Sequence, residues 1–296
     1  MALTSPALTL AVEAMFGNIK PTLNALKKLG VTDFSAEKPA VEIKPGMTIK
    51  VPVSSVSAAS EYNASTNHYR TGGDTDWATL TAKHYLQGFD ITGVNVDQGV
   101  DASRMKQLFT ARAGTGIAMA IQNVVKTSID GIKTSTAASG KIAPVANITM
   151  EGYMGIGDGL DWLDKASSTL VVNGPELASI RAKFAANHIV AGSLEELAGY
   201  MGFKDIVVIP GMTARAAIVP SNAMGFLARV PTIIAKYLEI GTETDPDTGL
   251  SIGIVIADDQ DHNRLIANAD LWFGCTVQGA PEAATKAGIV KLGTAA

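Results

Sequence analysis

The sequence has 296 residues, of which 47% are hydrophobic and 18% charged, which suits one large domain or two ordinary ones with a wide apolar core. Its formal net charge of −4 at pH 7 argues against a protein that grips nucleic acid or anionic lipid by charge. The single cysteine, Cys275, excludes an intramolecular disulfide framework and a metal site made of several cysteines.

The first predicted element is a helix over residues 5–30. Ser5 can cap it, and Pro6 suits its first position. Pro21 is expected to kink or divide it. The apolar side of this segment, which includes Phe16, needs a partner surface. The segment is therefore either an ordinary helix of the domain or an extended arm.

Two strand patterns follow, separated by the Ser- and Thr-rich residues 54–82. Residues 47–53 alternate apolar and polar side chains, the period-two pattern of a half-buried strand, and Pro52 places this strand at an edge or beside a bulge. A matching run over 83–96 is expected to pair with it in a long two-stranded projection with a soft tip. Because an isolated two-stranded hairpin is marginally stable in water, the projection needs a surface to lie on.

The stretch YRTGGDTDW, residues 69–77, belongs to that projection. Its glycines, threonines and aspartates predict a flexible, solvated tip, yet it contains Tyr69 and ends in Trp77. A short hairpin cannot bury a tryptophan by itself. We therefore expect the tip to lie across another copy of the chain, where Trp77 finds its pocket.

The clearest predicted element is a helix over residues 101–130, with Asp101 as its N-cap and Gly131 as its stop. It would be about 40 Å long, which is long for a globular domain. Gly114 and Gly116 weaken its middle by roughly 1 kcal/mol each relative to alanine. Its apolar stripe consists of Met105, Leu108, Phe109, Ile117, Ala120, Ile121, Val124 and Val125.

Short helices and strands alternate after a linker over 134–141, which predicts a compact α/β subdomain. The glycine cluster GYMGIGDG leads to a predicted helix over 160–167. TLVVNGPELASIRAKF then predicts a strand, a turn and a helix that Glu176 opens, followed by a helix over 193–201 and the strands of FKDIVVIPGM and ARAAIVPSNAMGFLARVP. From residue 232 the pattern is all strand, with a hairpin whose tip over 245–249 has strong turn chemistry.

No active site emerges from these patterns. A phosphate cradle would need Gly152, Gly155, Gly157 and Gly159, but Leu160 stands where G-x-G-x-x-G requires its third glycine. We favour a hinge between subdomains at this cluster. The four histidines, His68, His84, His188 and His262, show no metal-ligand spacing, and no G-x-S-x-G elbow occurs.

Three further features have ordinary explanations. The acidic stretch ADDQDHNR, with Asp258, Asp259, Asp261 and His262, lacks EF-hand spacing and is expected to be a solvated loop. Cys275 is expected to pack in the core. The chain has no aromatic–basic interleaving for nucleic acid. We therefore assign no catalytic, cofactor-binding or metal-binding residue, and we expect that the protein is not an enzyme.

No targeting signal is expected either. No apolar run approaches the roughly 18 residues of a membrane span. The N-terminal stretch lacks a basic lead, and Glu13 interrupts it, so no signal peptide is predicted. The chain is expected to be made and kept in a reducing cytoplasm.

The order of the elements resembles that of the tailed-bacteriophage major capsid proteins, which have the Hong Kong 97 fold. STLVVNGPELASIRA is similar to the start of that family's axial domain, and DIVVIPGM with AAIVPSNAMGFLARVP to its central strands. ETDPDTGLSIGIVIADDQDHNRLIANADLWFGCTV looks like the terminal hairpin and the strand with a late aromatic–glycine pair.

The resemblance implies an α+β fold. Its parts would be an N-terminal arm (1–40), an extended hairpin called the E-loop (41–97), a peripheral domain with a long spine helix (98–150), an α/β axial domain (151–230) and closing peripheral strands (231–296). This sequence shows no scaffolding segment of roughly a hundred residues ahead of the arm, so the resemblance implies a separate scaffolding protein. Some relatives crosslink a lysine to an asparagine between subunits, but neither Lys50 nor Lys83 nor any asparagine can be matched to those positions, so no crosslink is assigned.

The implied function is self-assembly, as hexamers and pentamers, into an icosahedral shell around the double-stranded DNA genome of a tailed bacteriophage. Each E-loop would overlap a neighbour's peripheral domain and spine helix, with Tyr69, Trp77 and Phe16 as inter-subunit contacts. The resemblance implies a scaffolding protein and a portal as partners, non-specific contact with packaged DNA, assembly in the host cytoplasm and a final place in the virion. It implies no cofactor and no membrane.

Three alternatives remain open at this point. An encapsulin-like compartment shares the fold but encloses enzymes. A cytosolic α/β enzyme would bind phosphate at the glycine cluster. A tail-tube or fibre protein also self-assembles, although the long mid-chain helix argues against it.

Overall fold

The computed structural model describes residues 6–29, 32–33, 48–53, 76–92, 102–132, 149–158, 160, 163–221, 223–230, 239–244, 250–259, 261, 264–277 and 288–294. Several of the features predicted above therefore lie outside the described residues: Ser5, His68, Tyr69, Asp101, Gly159, His262, the linker and the hairpin tip at 245–249.

The helices are α1 (Pro6–Lys28), α2 (Ala102–Asp130), α3 (Met150–Met154), α4 (Gly174–Ala186) and α5 (Leu194–Met201), with a single 3-10 turn at Lys165–Ser167. The strands are β1 (Thr32–Asp33), β2 (Thr48–Val53), β3 (Asp76–Thr81), β4 (Lys83–Thr92), β5 (Thr169–Val172), β6 (Asp205–Val208), β7 (Ala214–Val219), β8 (Met224–Arg229), β9 (Glu239–Thr244), β10 (Ser251–Asp259), β11 (Arg264–Val277) and β12 (Val290–Thr294).

A six-stranded sheet is built around β11, in the order β1-β8-β11-β10-β9, with β4 also pairing with β11. One edge of β11 pairs antiparallel with β4 from Arg264 to Phe273. Its other edge pairs first with β10, up to Asp270, and then with β8, from Trp272 to Val277. Because β11 has 14 residues, it is long enough to serve two partners end to end along one edge.

The second sheet has four strands in the order β12-β7-β5-β6. β5 and β6 are parallel, and α4 and α5 lie between them in the chain, as a parallel connection requires. β8, which the sequence groups with the α/β subdomain, pairs instead with β11, and β12 pairs with β7. Each sheet thus contains one strand from the chain region expected to build the other.

α1 and α2 pack against each other and form one core with residues of both sheets. Ile117, Ile121 and Val125 of α2, which the predicted stripe includes, are buried in this core. A second core lies between the four-stranded sheet and α4 and α5. Val171 of β5 faces the first core and Leu170 the second, so this sheet is covered on both faces.

The structure corrects the prediction for α1 in two respects. The helix runs undivided from Pro6 to Lys28, with Pro21 inside it. Its C-terminal half is not an extended arm, because its apolar residues are buried in the core of the same chain, and Gln122 of α2 donates a hydrogen bond of 3.0 Å to Thr22. The buried residues are Ile19, Leu23, Leu26 and Leu29.

Ion pairs and a hydrogen bond at Lys28 connect the end of α1 to the α/β part. Its ammonium lies 2.7 Å from Glu195 and 3.1 Å from Asp205, and Thr169 donates to its backbone carbonyl. The hydrogen bond to Glu195 raises the pKa of Lys28 and, from the other side, lowers the pKa of Glu195 to about 2.

A second set of ties lies at the end of α2. The Asp130 carboxylate accepts hydrogen bonds of 3.0 Å from the amides of Thr213 and Ala214. Lys291 of β12 donates to the carbonyls of Asp130 and Ile132. Burial alone would raise the pKa of Asp130, but these hydrogen bonds and the charge of Lys291 hold it below the ordinary value.

Two glycine predictions also change. Gly116 lies against the side chain of Gln87 in β4: a Cβ added there would lie 2.8 Å from the side-chain oxygen of Gln87, a contact that rotation of this exposed side chain would relieve. Gly152 lies inside α3, and the helix predicted over 160–167 reduces to the 3-10 turn. The turn after β5 is as predicted, with Asn173 capping α4 by accepting a hydrogen bond of 2.8 Å from the amide of Glu176.

Candidate functional site

β2 and β3 form a separate two-stranded sheet, which we call the ribbon. The sequence analysis expected β2 to pair with β4. This prediction is wrong, because β2 pairs with β3 and β4 pairs with β11. In the pairing of β2 with β3, Pro52 lies opposite Trp77. Trp77 thus lies within a strand and is not part of the soft tip. Two strands are marginally stable by themselves, so the expectation that this element needs another surface applies to the ribbon.

The ribbon is attached to the body at one well-packed place, which we call the root. Leu80 at the end of β3 and Ala82, the single residue between β3 and β4, are buried against Leu227 and Trp272. Gly274 of β11 lies directly beneath this corner, because a Cβ added there would lie 2.5 Å from the Thr81 carbonyl oxygen. The aromatic–glycine pair in β11 was visible in the sequence, but its position under the ribbon was not.

An open groove of about 480 Å3 runs beside the root, between α2, β4 and β11. We call it the α2 groove, and its lining consists of Thr81, Lys83, Tyr85, Ala120, Asn123, Val124, Thr127, Ser128, Phe273 and Cys275. Burial raises the pKa of Tyr85 and raises that of the Cys275 thiol to about 12. The thiol is therefore protonated at neutral pH, and its expected role in packing is consistent with this position.

Two large apolar side chains in this region are exposed. Met119, one helical turn before Asn123 on the same side of α2, is 57% exposed. Leu86 is 55% exposed but lies on the face of β4 opposite to the groove. The two side chains therefore do not form one contiguous apolar patch at the groove.

His84 and Asp270 lie on the same face of the sheet as Leu86. His84 Nε2 is 3.3 Å from Asp270 Oδ1, and the His84 ring lies 6.0 Å from that of Trp272. Burial raises the pKa of Asp270, and the neighbouring His84 acts against this rise. This polar pair therefore packs directly against the aromatic side chain of the root.

Of the residues expected to contact other subunits, the structure describes two in part. Phe16 lies in α1 and Trp77 in β3, where the backbone of each is described, and Tyr69 lies outside the described residues. The sequence analysis did not identify the root residues Leu80, Trp272 and Gly274. The Trp and Thr residues of DWATLT were a usable β-propensity signal for β3, but the polar residues before it favoured a loop.

The glycine cluster is packed rather than open. Gly157 has φ +82, and a Cβ there would lie 2.7 Å from Leu163 and 3.2 Å from Ile218. Lys165 donates to the Met154 carbonyl and to Asp158. In the described part of the chain, no group of three or more His, Cys, Asp or Glu side chains is placed to hold a metal ion. No helix there is both long enough and apolar enough to cross a membrane.

A buried ion pair stabilises the α/β part. The Glu176 carboxylate, which is 4% exposed, lies 2.6 Å from Arg215 Nε and accepts a hydrogen bond of 2.7 Å from the Tyr153 hydroxyl. Tyr153 also reaches Ser179, and burial raises its pKa. The charge is fully partnered within the chain, so this cluster has a structural explanation.

No family model and no curated protein matches the sequence. Solved structures do match. The capsid of a native GTA particle computed with C5 symmetry aligns with a TM-score of 0.56 and 15% identity, over 93% of this chain and 91% of that chain. The capsid of an empty GTA particle computed with C5 symmetry gives 0.52 and 14%, over 93% and 90%. The capsid of Ralstonia phage GP4 gives 0.51 and 10%, over 89% and 86%.

At these identities the likeness establishes the fold. Over 89–93% of its length, the chain shares the fold of these phage and GTA capsid structures. The resemblance to capsid proteins drawn from the order of the elements is thereby confirmed at the level of a mixed α+β capsid fold.

Proposed function

We propose that this chain, which has the fold of capsid proteins, is a coat protein that assembles into an icosahedral shell around the double-stranded DNA of a tailed bacteriophage. The observation that carries the proposal is the structural likeness to capsid subunits over 93% of the chain. The GTA capsids that it resembles were computed with C5 symmetry, which accords with five-fold rings in a closed shell. The shell would be the chain's place in the virion, after assembly in the host cytoplasm.

The parts of the Hong Kong 97 arrangement are assigned as follows. The ribbon, with residues 54–75 between its strands, corresponds to the E-loop, and α2 to the spine helix. The six-stranded sheet with α1 and α2 corresponds to the peripheral domain. The four-stranded sheet with α4 and α5 corresponds to the axial domain, which then includes β12 and excludes β8. Residues before the buried half of α1 correspond to the N-terminal arm.

The assembly contact we propose places the ribbon of one copy over the α2 groove of the next. The Asn123 amide can bond an extended backbone, and Val124 and Phe273 offer apolar contact. The hydroxyls of Thr127 and Ser128, which donate to the carbonyls of Asn123 and Cys275, can accept hydrogen bonds from such a backbone. The ribbon and the α2 groove are different surfaces of the subunit, so contacts between them are heterologous. Repeated contacts of this kind close into a ring when the rotation between subunits permits it. At about 25 cal/mol per Å2, an obligate contact of roughly 2,000 Å2 offers tens of kcal/mol before association costs.

Trp77→Ala tests this contact. We expect the variant subunit to fold but to form few closed shells in electron micrographs, because a tryptophan is a large source of contact energy at an interface. Thr79→Ala, in the same strand, is the matched control and should assemble normally. Normal shells from Trp77→Ala would contradict the ribbon contact.

The contents of purified shells separate the proposal from its nearest alternative. DNA in shells purified from the native source supports a genome container, and a protein cargo supports an encapsulin-like compartment. A separate scaffolding protein and a portal are further expected partners. DNA contact is expected to be non-specific, which suits a net charge of −4.

We assign the chain no catalytic role. Gly157 is surrounded by the side chains of Leu163 and Ile218, which leaves little room for a phosphate. Nucleotide binding that is lost when Gly155 and Gly157 are replaced by valine would contradict this assignment.

A further inference from the structure

We propose that the root is a rigid joint, in which Gly274 and Trp272 of β11 set the direction in which the ribbon leaves the body and hence which neighbour it can reach. This inference rests on the proposed function, in which the ribbon contacts another subunit. It adds positioning residues that lie in the subunit's own sheet and need not touch the neighbour.

Gly274 allows the chain to cross β11 at the root. A Cβ at this position would lie 2.5 Å from the carbonyl oxygen of Thr81, 2.9 Å from its carbonyl carbon and 3.1 Å from the Cα of Ala82. All three are backbone atoms, so no side-chain rotation can relieve the contact. Since ordinary contact begins at 3.4 Å, the Thr81 oxygen would have to retreat by 0.9 Å, the difference between 3.4 and 2.5 Å.

A small displacement at the root becomes larger along the ribbon. β3 rises about 3.3 Å per residue, so Asp76 lies about 17 Å from Thr81, and a tilt of about 10° at the root would move it by about 3 Å. Docking of an extended strand is sensitive to shifts of this size, because the spacing between adjacent strands is itself only about 4.8 Å.

The packing around Trp272 leaves the joint little freedom. Leu80 is 0% exposed, Ala82 1% and Trp272 9%, in a cluster distinct from the main core. Trp272 Nε1 is buried without a hydrogen-bond partner in the described part of the chain, so apolar packing is the favourable contribution of this side chain. A loose tether between ribbon and body would instead expose these residues.

A rigid root has a thermodynamic consequence for assembly. A ribbon held in its docking direction loses less conformational freedom when it binds a neighbour than a freely hinged one. We therefore expect both a change of direction at Gly274 and added freedom at Ala82 to weaken assembly, although neither changes the contact surface itself.

The test compares Gly274→Ala with Gly199→Ala, whose added Cβ meets nothing within 4 Å on the exposed side of α5. Both variants should fold, as measured by urea unfolding. Gly199→Ala should form shells as the wild type does. Gly274→Ala should form about tenfold fewer closed shells in electron micrographs, the factor that corresponds to ~1.4 kcal/mol. A folded Gly274→Ala that gives normal shells in normal yield would overturn the inference.

Ala82→Gly is the second variant, because it loosens the joint without crowding it and remains informative if Gly274→Ala does not fold. It should also form about tenfold fewer shells. Shell formation by this variant at the wild-type level would count against a rigid joint.

A distance measurement on unassembled subunits tests the rigidity of the root independently of shell formation. If the wild type forms no shells, the proposed function fails, but this measurement still tests the rigid joint. Spin labels at Lys50→Cys in the ribbon and Lys20→Cys in α1 should give a narrow distance distribution. The mean should shift in Gly274→Ala, and the distribution should broaden in Ala82→Gly. Both labels are introduced in a Cys275→Ser background, because Cys275 is half-buried and lines the open α2 groove. A broad wild-type distribution would refute the rigid joint.

Discussion

Residues 17–29 of α1 should be indispensable for folding, whereas residues 1–16 should not. The perturbation is a pair of truncations, one that removes residues 1–16 and one that removes residues 1–29. The longer truncation takes away four apolar side chains that are between 0% and 3% exposed in the core against α2: Ile19, Leu23, Leu26 and Leu29.

The magnitude follows from their burial. Each Ile or Leu side chain contributes roughly 1.5–3 kcal/mol when fully buried, so the four together contribute roughly 6–12 kcal/mol. That is comparable with the whole stability of a typical domain, about 5–15 kcal/mol. The longer truncation also removes the hydrogen bond from Gln122 to Thr22 and the ties of Lys28 to Glu195 and Asp205.

Urea unfolding of unassembled subunits, followed by circular dichroism and tryptophan fluorescence, is the assay. We expect a cooperative transition for the shorter truncation and none for the longer one. Leu23→Ala in the full chain should lower the free energy of unfolding by about 2–5 kcal/mol. The exposed Lys20→Ala is the control and should change it by less than about 0.5 kcal/mol. A longer truncation that unfolds cooperatively at the wild-type midpoint would refute the reasoning and restore the arm interpretation for the whole helix.

Two further substitutions test the polar ties by urea unfolding. Arg215→Met should lower the free energy of unfolding by about 3–5 kcal/mol, because it leaves the buried Glu176 carboxylate without its charged partner. Adding Glu176→Gln to this variant should recover much of the lost stability. An Arg215→Met subunit as stable as the wild type would show that the ion pair contributes little. Asp130→Asn should cost about 1–3 kcal/mol at pH 7, because the charged acceptor of the Thr213 and Ala214 amides is lost. Because the pKa of Asp130 is lowered in the folded state, its carboxylate stabilises the fold at pH values above the unfolded pKa of about 3.9, and this stabilisation is lost as the pH falls through the folded-state pKa. The difference in unfolding free energy between the wild type and Asp130→Asn should therefore shrink in acid. A difference that stays constant down to about pH 3 would contradict the assignment.

Elements with strong local signals were predicted almost to the residue. The stripe of α2 and the stop at Gly131 led to a helix over 101–130, and the structure has Ala102–Asp130. Asn173 and Pro175 marked the passage from β5 into α4, where Asn173 is the N-cap. The β9–β10 hairpin followed from alternation on both sides of a strong turn. In each case the deciding interactions join residues close in sequence.

The errors concern partners that lie far apart in the chain. The pattern over 83–96 was paired with β2 because the two stretches alternate similarly, but β4 has a better partner in β11, which offers ten paired positions from Arg264 to Phe273. β3, and not β4, therefore pairs with β2. Trp77 was assigned to a loop because six of the eight residues before it are Gly, Thr or Asp, although pairing with β2 overrides that composition.

In the candidate site, too, some features could be predicted from the sequence and others could not. A two-stranded element that contains β2 was predicted and is present, although its second strand is β3 and not β4. Its need for a covering surface stays a prediction. The α2 groove, the cluster around Trp272 and the contact of Gly274 with Thr81 were not predicted, because each depends on strands brought together by the fold. An aromatic–glycine pair in a strand indicates a close approach without saying what approaches.

The sequence by itself determined the α+β class, the long helix, the β5–α4 turn and the capsid-like order of elements, since backbone hydrogen bonding and side-chain periodicity act between near neighbours. Only the tertiary structure decided that α1 covers its own core, that β8 and β12 lie in opposite sheets from those expected, and that the ribbon leaves the body over Gly274. These outcomes depend on which apolar faces bury each other most completely, and that burial is shared by residues far apart along the chain.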